Sequence, residues 1–216
     1  MIKMPAGAEI YNKSILIIDS ILKDNSHFAN SYSENEKAVI KRVIHATGNP
    51  GYASSMFFTR NAVGKSVSFI KKNIIGNRPV KIVCDSEMTR AGISKNVNKD
   101  VLLELICYIG HEFKDTGMTR SALSIRLAIT ENLPDFIVIG NAPTALNEAI
   151  NICKSLNASS GYRPETIIGM PVGFVGAAES KKALFDDNFF ESIGNFGNSG
   201  GSPAAASSMN ALLSLS

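Results

Sequence analysis

At the start of the chain apolar residues recur at every third or fourth position, and in its middle they gather into short uninterrupted runs. Residues 8 to 23 carry Ile15, Leu16, Ile18, Ile21 and Leu22 at helical spacing, with Ser14 just ahead of the stripe. A second helix opens on Ser33-Glu34-Asn35-Glu36, a capping box in which Ser33 and Glu36 each satisfy a free backbone donor. Its apolar face is Val39, Ile40, Val43 and Ile44. His45 steps off that face and Gly48 stops the helix, which leaves an imidazole at a helix end beside a glycine turn. A third helix over residues 61 to 75 stops at Gly76.

Downstream, buried runs alternate with helical stretches. Residues 80–84, 102–108, 136–139 and 166–168 read as strands, and residues near 120–130, 143–156, 177–184 and 203–213 as helices. The alternation predicts an α/β fold, a three-layer domain with a mainly parallel sheet flanked by helices, spanning residues 1–216 without repeat or linker. Ligands of such sheets sit at the carboxyl ends of the strands. The segments there are Asp85 to Ile93, Gly140 to Thr144, Pro171 to Gly176 and Gly200-Gly201-Ser202.

Composition narrows the class. With 216 residues, 44% hydrophobic and 19% charged, the chain can bury a core without disulfides. Its 22 basic and 19 acidic residues give a scattered net charge of +3, which lends nothing to nucleic-acid binding. Cys84, Cys107 and Cys153 are far apart and match no metal or disulfide spacing, as expected of free thiols in a reducing cytosol. The N-terminus lacks a signal-peptide layout and no run approaches the roughly 20 apolar residues of a membrane span, so a cytoplasmic protein with no membrane partner is expected.

The glycine turns do not spell a dinucleotide or phosphate-loop fingerprint, which disfavours a nucleotide-binding protein. Gly140-Asn141-Ala142-Pro143 and Gly200-Gly201-Ser202 offer backbone N–H groups at helix starts that suit anionic oxygens; tight turns needing positive φ are the plainer reading. Ser121 and Ser202 lack a nucleophile-elbow context, and no Cys–His pair can be placed from spacing. Of the histidines, His27 lies in a polar segment and His111 precedes Glu112 on an expected surface helix. His45 alone combines an apolar helix end with a pKa suited to proton transfer. Arg120 opens a helix, where the dipole disfavours a cation; a ligand carboxylate would explain it, as would simple surface exposure. No metal site stands out.

Several segments follow one another in a telling order: Ile10-Tyr11-Asn12-Lys13-Ser14, Arg42 to Gly48, Met88 with Ala91-Gly92-Ile93, Thr119-Arg120-Ser121-Ala122, Ile139 to Leu146, Pro164 to Lys181, and Gly200-Gly201-Ser202 with Asn210-Ala211-Leu212. Together they resemble the precorrin-8X methylmutase family of corrin biosynthesis, including its cobalt-precorrin-8 branch. The strings from Ile139 to Leu146 and from Gly169 to Lys181 are the most specific. The resemblance implies an isomerase with no diffusible cofactor that acts on a tetrapyrrole. The family moves a methyl group within ring C by a 1,5-sigmatropic shift, giving hydrogenobyrinic or cobyrinic acid. It further implies that His45 is catalytic, that Ser14 contacts substrate, and that the protein is a homodimer with its sites near the subunit interface.

A rearrangement within one molecule needs no nucleophile. It requires a polycarboxylate held in one tautomer and one proton donor or acceptor beside the migrating centre. Arg90 and Arg120 suit the carboxylates, and Phe174 with the neighbouring turns suits a flat macrocycle. The remaining candidate contacts within the matched segments are Ala91, Gly92, Thr119, Ser121, Asn141, Ala142, Pro143, Thr144, Gly173, Gly201 and Ser202. Asn49 stands where the family often has Asp, and Asn198-Ser199 where it usually has basic residues; Asn12 and Glu87 are atypical too. The alternative to an isomerase is a catalytically weak tetrapyrrole-binding carrier of the same fold.

Overall fold

A computed structural model describes residues 6–95, 97–113 and 117–216. In chain order the elements are α1 (Ala6–Leu22), α2 (Ser26–Ser31), α3 (Glu34–Thr47), α4 (Tyr52–Ser55), β1 (Met56–Phe58), α5 (Ala62–Ile75), β2 (Val80–Cys84), α6 (Glu87–Gly92), β3 (Leu103–Ile106), α7 (Arg120–Asn132), β4 (Phe136–Ile139), α8 (Pro143–Ser160), β5 (Thr166–Gly169), α9 (Ala177–Asp186), β6 (Ser192–Asn195) and α10 (Ser202–Leu215). The strands form one sheet in the order β1-β6-β5-β4-β2-β3. Every pairing is parallel except β1 with β6.

The expected three layers are present because the central strands are apolar on both faces, as strands covered on both sides must be. Val80, Ile82, Phe136, Val138 and Ile168 face a core built from α3, α5 and α10 through residues such as Ile40, Ile70 and Met209. Val83, Ile137, Ile139 and Ile167 face the other way, toward Ile129 of α7, Leu146 of α8 and Leu184 of α9. The capping box is complete, with Glu36 accepting from the Ser33 backbone N–H at 2.8 Å. Gly48 closes α3 in the left-handed region, at φ 66°.

Several expectations need correction. Strands β1 and β6 and the short helices α2, α4 and α6 escaped the periodicity reading, and the run at 102–108 is a strand only over Leu103–Ile106. The stripe of α1 is not all core: Ile18 and Leu22 are buried, whereas Leu16 and Ile21 are exposed. His111 lies on a turn rather than a helix, its backbone N–H bonded to the Tyr108 carbonyl and its ring stacked on Tyr108.

Candidate active site

The loops after β2, β4, β5 and β6 meet at the carboxyl edge of the sheet. α10 starts at that edge and packs along α3, and α4, which follows α3, reaches the same edge, where the Tyr52 hydroxyl donates to the Gly200 carbonyl at 3.4 Å. His45 stands near the end of α3, a helix that lies outside the sheet. Its Nδ1 is 2.8 Å from the Ser14 hydroxyl of α1, a contact across 31 residues of sequence. The Tyr11 ring meets the imidazole edge-on at 4.9 Å, and the Arg42 guanidinium lies over Tyr11. Burial, and secondarily the charge of Arg42, push the His45 pKa below its usual 6.5, so the ring is neutral at pH 7. Asn49 accepts the Gly51 N–H at 2.9 Å, the turn-holding bond an aspartate would make at that place.

The turn after β4 differs from expectation. Its N–H groups are not free for a ligand, because Asp85, wholly buried at the end of β2, already takes them. One carboxylate oxygen accepts from Gly140 at 3.0 Å; the other accepts from Asn141 at 2.8 Å and Ala142 at 2.9 Å. Burial raises the Asp85 pKa and these three donors oppose the rise. Thr89 adds a contact at 3.3 Å and also bonds Ser202, which leans on Ser86. Ser202 is thus turned into a buried network. Gly140 has no room for a side chain: a Cβ would lie 2.6 Å from the Thr89 hydroxyl and 2.8 Å from the Ser202 Cα.

The other candidates divide clearly. Arg90 is engaged with Glu87 on the exposed face of α6. Ala91 is exposed beside it, and Gly92 packs on Ala206 while its carbonyl accepts from Asn210. Thr119 caps α7 and bonds the exposed Thr144 at 2.8 Å, with Ser121 half-buried two residues on. Arg120 is exposed at the first position of α7, without an ion pair among the described residues, and lines a cavity of about 470 Å³ with His111, Phe113 and Met118. Asn141 is exposed, and Pro143 occupies the first turn of α8. Gly173 adopts φ 145°, and Phe174 and Val175 beyond it are 91% and 89% exposed. Gly201, at φ 113°, hands its N–H to the Met170 carbonyl.

Sequence reasoning missed Asp85 and Lys181. A lone aspartate directly after a buried strand was the available signal for the first. Lys181 is wholly buried in α9 with its ammonium on the Ser199 carbonyl, under the very loop that lacks surface cations. Burial pushes the thiols of Cys107 and Cys153 up to about 11 and about 12, away from nucleophilic use.

These features define a three-layer α/β protein whose strand-end loops converge at the carboxyl edge of its sheet. The sequence model of the precorrin-8X methylmutase family matches residues 9–215. The cobalt-precorrin-8 methylmutase of Methanocaldococcus jannaschii is 36% identical over 213 residues, covering 96% of this chain and 93% of that protein. That of Salmonella typhimurium is 32% identical over 206 residues, covering 93% and 91%. A solved precorrin-8X methyl mutase from Thermus thermophilus superposes with a TM-score of 0.77 at 26% identity, over 94% of this chain and 95% of that one. The chain belongs to the precorrin-8X methylmutase family, and is a methyl-migrating isomerase of cobalamin biosynthesis.

Proposed function

We propose that the chain, acting as one domain, moves a methyl group within ring C of the precorrin-8 skeleton, with the cobalt-bearing form as its substrate. The observation carrying this reading is the His45–Ser14 hydrogen bond, which joins two family segments into one proton-handling pair. The relatives at 36% and 35% identity bear the cobalt-precorrin-8 name, which favours the metal-bearing substrate.

The pair works in either direction. When the Ser14 hydroxyl donates to Nδ1, the neutral ring keeps its proton on Nε2 and can donate it; when Nδ1–H donates to Ser14, Nε2 is a base. A methyl shift consumes no proton overall, so a group that gives and takes back one proton suffices. Arg120, exposed and without an ion pair among the described residues, offers a cation for a substrate carboxylate, and the exposed Phe174 and Val175 offer apolar surface to the macrocycle. Ile10, Ile17 and Ile21, seven and four residues apart on α1 and all more than half exposed, form an apolar stripe near Ser14, which supports a homodimer that covers it. Among the described residues no helix is long and apolar enough to cross a membrane, and the three free thiols fit a reducing, cytoplasmic compartment.

The test is incubation with precorrin-8 and with its cobalt form while the visible spectrum is followed, since the shift alters the conjugated system. Turnover is expected without added nucleotide or metal. An unchanged spectrum with both, under conditions where a known methylmutase works, refutes the isomerase; binding without turnover identifies a carrier.

A further inference from the structure

From β2 the chain builds toward one edge of the sheet through β3, and from β4 toward the other through β5 and β6. The gap above β2 and β4 is therefore the switch point where open α/β sheets admit ligands. Here it is filled from inside. The N–H groups of Gly140, Asn141 and Ala142 form a cradle for an anion, and the Asp85 carboxylate, which belongs to the protein, lies in it. We infer that Asp85 is a positioning residue of the isomerase: it occupies this cradle, excludes substrate carboxylates from it, and fixes both the 140–144 turn and the start of α10 in the arrangement that receives substrate. The inference rests on the isomerase reading.

Three features support it. Both carboxylate oxygens are used, one by Gly140 and Thr89 and the other by Asn141 and Ala142, so an asparagine would set its NH₂ against donors. The hydroxyls of Ser86, Thr89 and Ser202 lie within 2.9 to 3.3 Å of one another, so the carboxylate at Thr89 orients a cluster that includes the first residue of α10. α10 in turn packs along α3, the helix that carries His45. A change at Asp85 therefore acts directly on the turn that leads to Thr144 and, through Thr89 and Ser202, on the helix packed along α3.

The experiment compares Asp85→Ala and Asp85→Asn with the wild type, well below each protein's melting temperature. Asp85→Ala is expected to raise KM at least roughly tenfold while kcat at saturation changes less than about threefold. Formate, the group removed, should lower KM again in a saturable way, acetate less because its methyl has no space, and chloride at equal ionic strength not at all. Formate should also raise the Tm of Asp85→Ala but not of the wild type, a readout independent of turnover. Asp85→Asn should show the raised KM without formate rescue, because its side chain fills the cradle. The inference is overturned by a KM within twofold of wild type in Asp85→Ala, by formate that competes with substrate and raises KM, by no formate effect on Tm, or by loss of folding in both variants, which would make Asp85 a folding residue. A wild-type protein that turns over neither substrate brings down the isomerase reading and the positioning role with it, while the formate shift still reports whether the cradle takes an anion.

Discussion

Replacing Lys181 by methionine removes a cation from the protein interior. The side chain is fully buried in α9, its ammonium donates to the Ser199 carbonyl, and burial alone lowers its pKa from 10.5 to about 8. Holding the group at about 8 makes its charged form about 3 kcal/mol less favourable in the fold than in the unfolded chain at neutral pH. The unfolded state binds more protons between pH 8 and 10.5, so wild-type stability gains this amount as pH rises through that window and the burden is lifted. Methionine carries no such burden, but it gives up a charge-assisted hydrogen bond of about 1.5 to 3 kcal/mol. Asn195 still bonds the same carbonyl at 2.7 Å, so the acceptor is not orphaned. Near pH 7 Lys181→Met should thus be close to wild type or somewhat more stable, in line with other replacements of buried charge. Urea unfolding of both proteins at intervals from pH 7 to 10.5 should show wild type gaining about 3 kcal/mol on the variant, other titrations cancelling in the comparison. A stability difference that stays constant over this range would refute the reasoning and mean that the ammonium is solvated in the folded protein.

His45→Ala should lower turnover on the order of a hundredfold or more with substrate binding nearly intact, and His45→Gln should not restore it, since glutamine keeps a polar group but cannot titrate. Because the His45 pKa lies below 6.5 and the neutral ring is the working form, kcat should be flat above pH 7 and fall as pH drops through that lowered value; a rise in acid would assign the work to the imidazolium. Arg120→Ala should weaken binding of the polycarboxylate by roughly 1.5 to 3 kcal/mol, measured by titration, with less effect on the rate from the bound state; unchanged affinity would leave Arg120 a surface residue. Gly140→Ala should destabilise the fold by about 1 to 3 kcal/mol in urea unfolding, because the new methyl meets the backbone at Ser202, which cannot rotate away. A stability equal to wild type would show that α10 can shift at that point.

The chain by itself determined the parts whose cause is local. The capping box at Ser33 and Glu36, the left-handed Gly48, the stops at Gly76 and the apolar runs of β2, β4 and β5 arise from neighbours within a few residues, and each formed where the pattern put it. The family segments were legible for a related reason: His45, Arg120 and the turns after the strands stand in short strings that resemble the family's. Elements lacking a pattern of their own depended on their partners. Strand β6 holds one large apolar residue, Ile193, and is a strand because β5 and β1 flank it; β1 in turn is three residues long and pairs, among the described residues, only with β6. For the same reason the faces of α1 could not be assigned in advance: helical spacing marks its apolar positions, but only packing against α3 decides that Ile18 is covered and Leu16 is not. The site shows the division most plainly. Sequence left the glycine turn at 140–142 open between a ligand-anion cradle and a plain tight turn; tertiary structure filled it with the protein's own carboxylate, Asp85, from 55 residues away, because the three N–H donors at the switch point of the sheet need an acceptor.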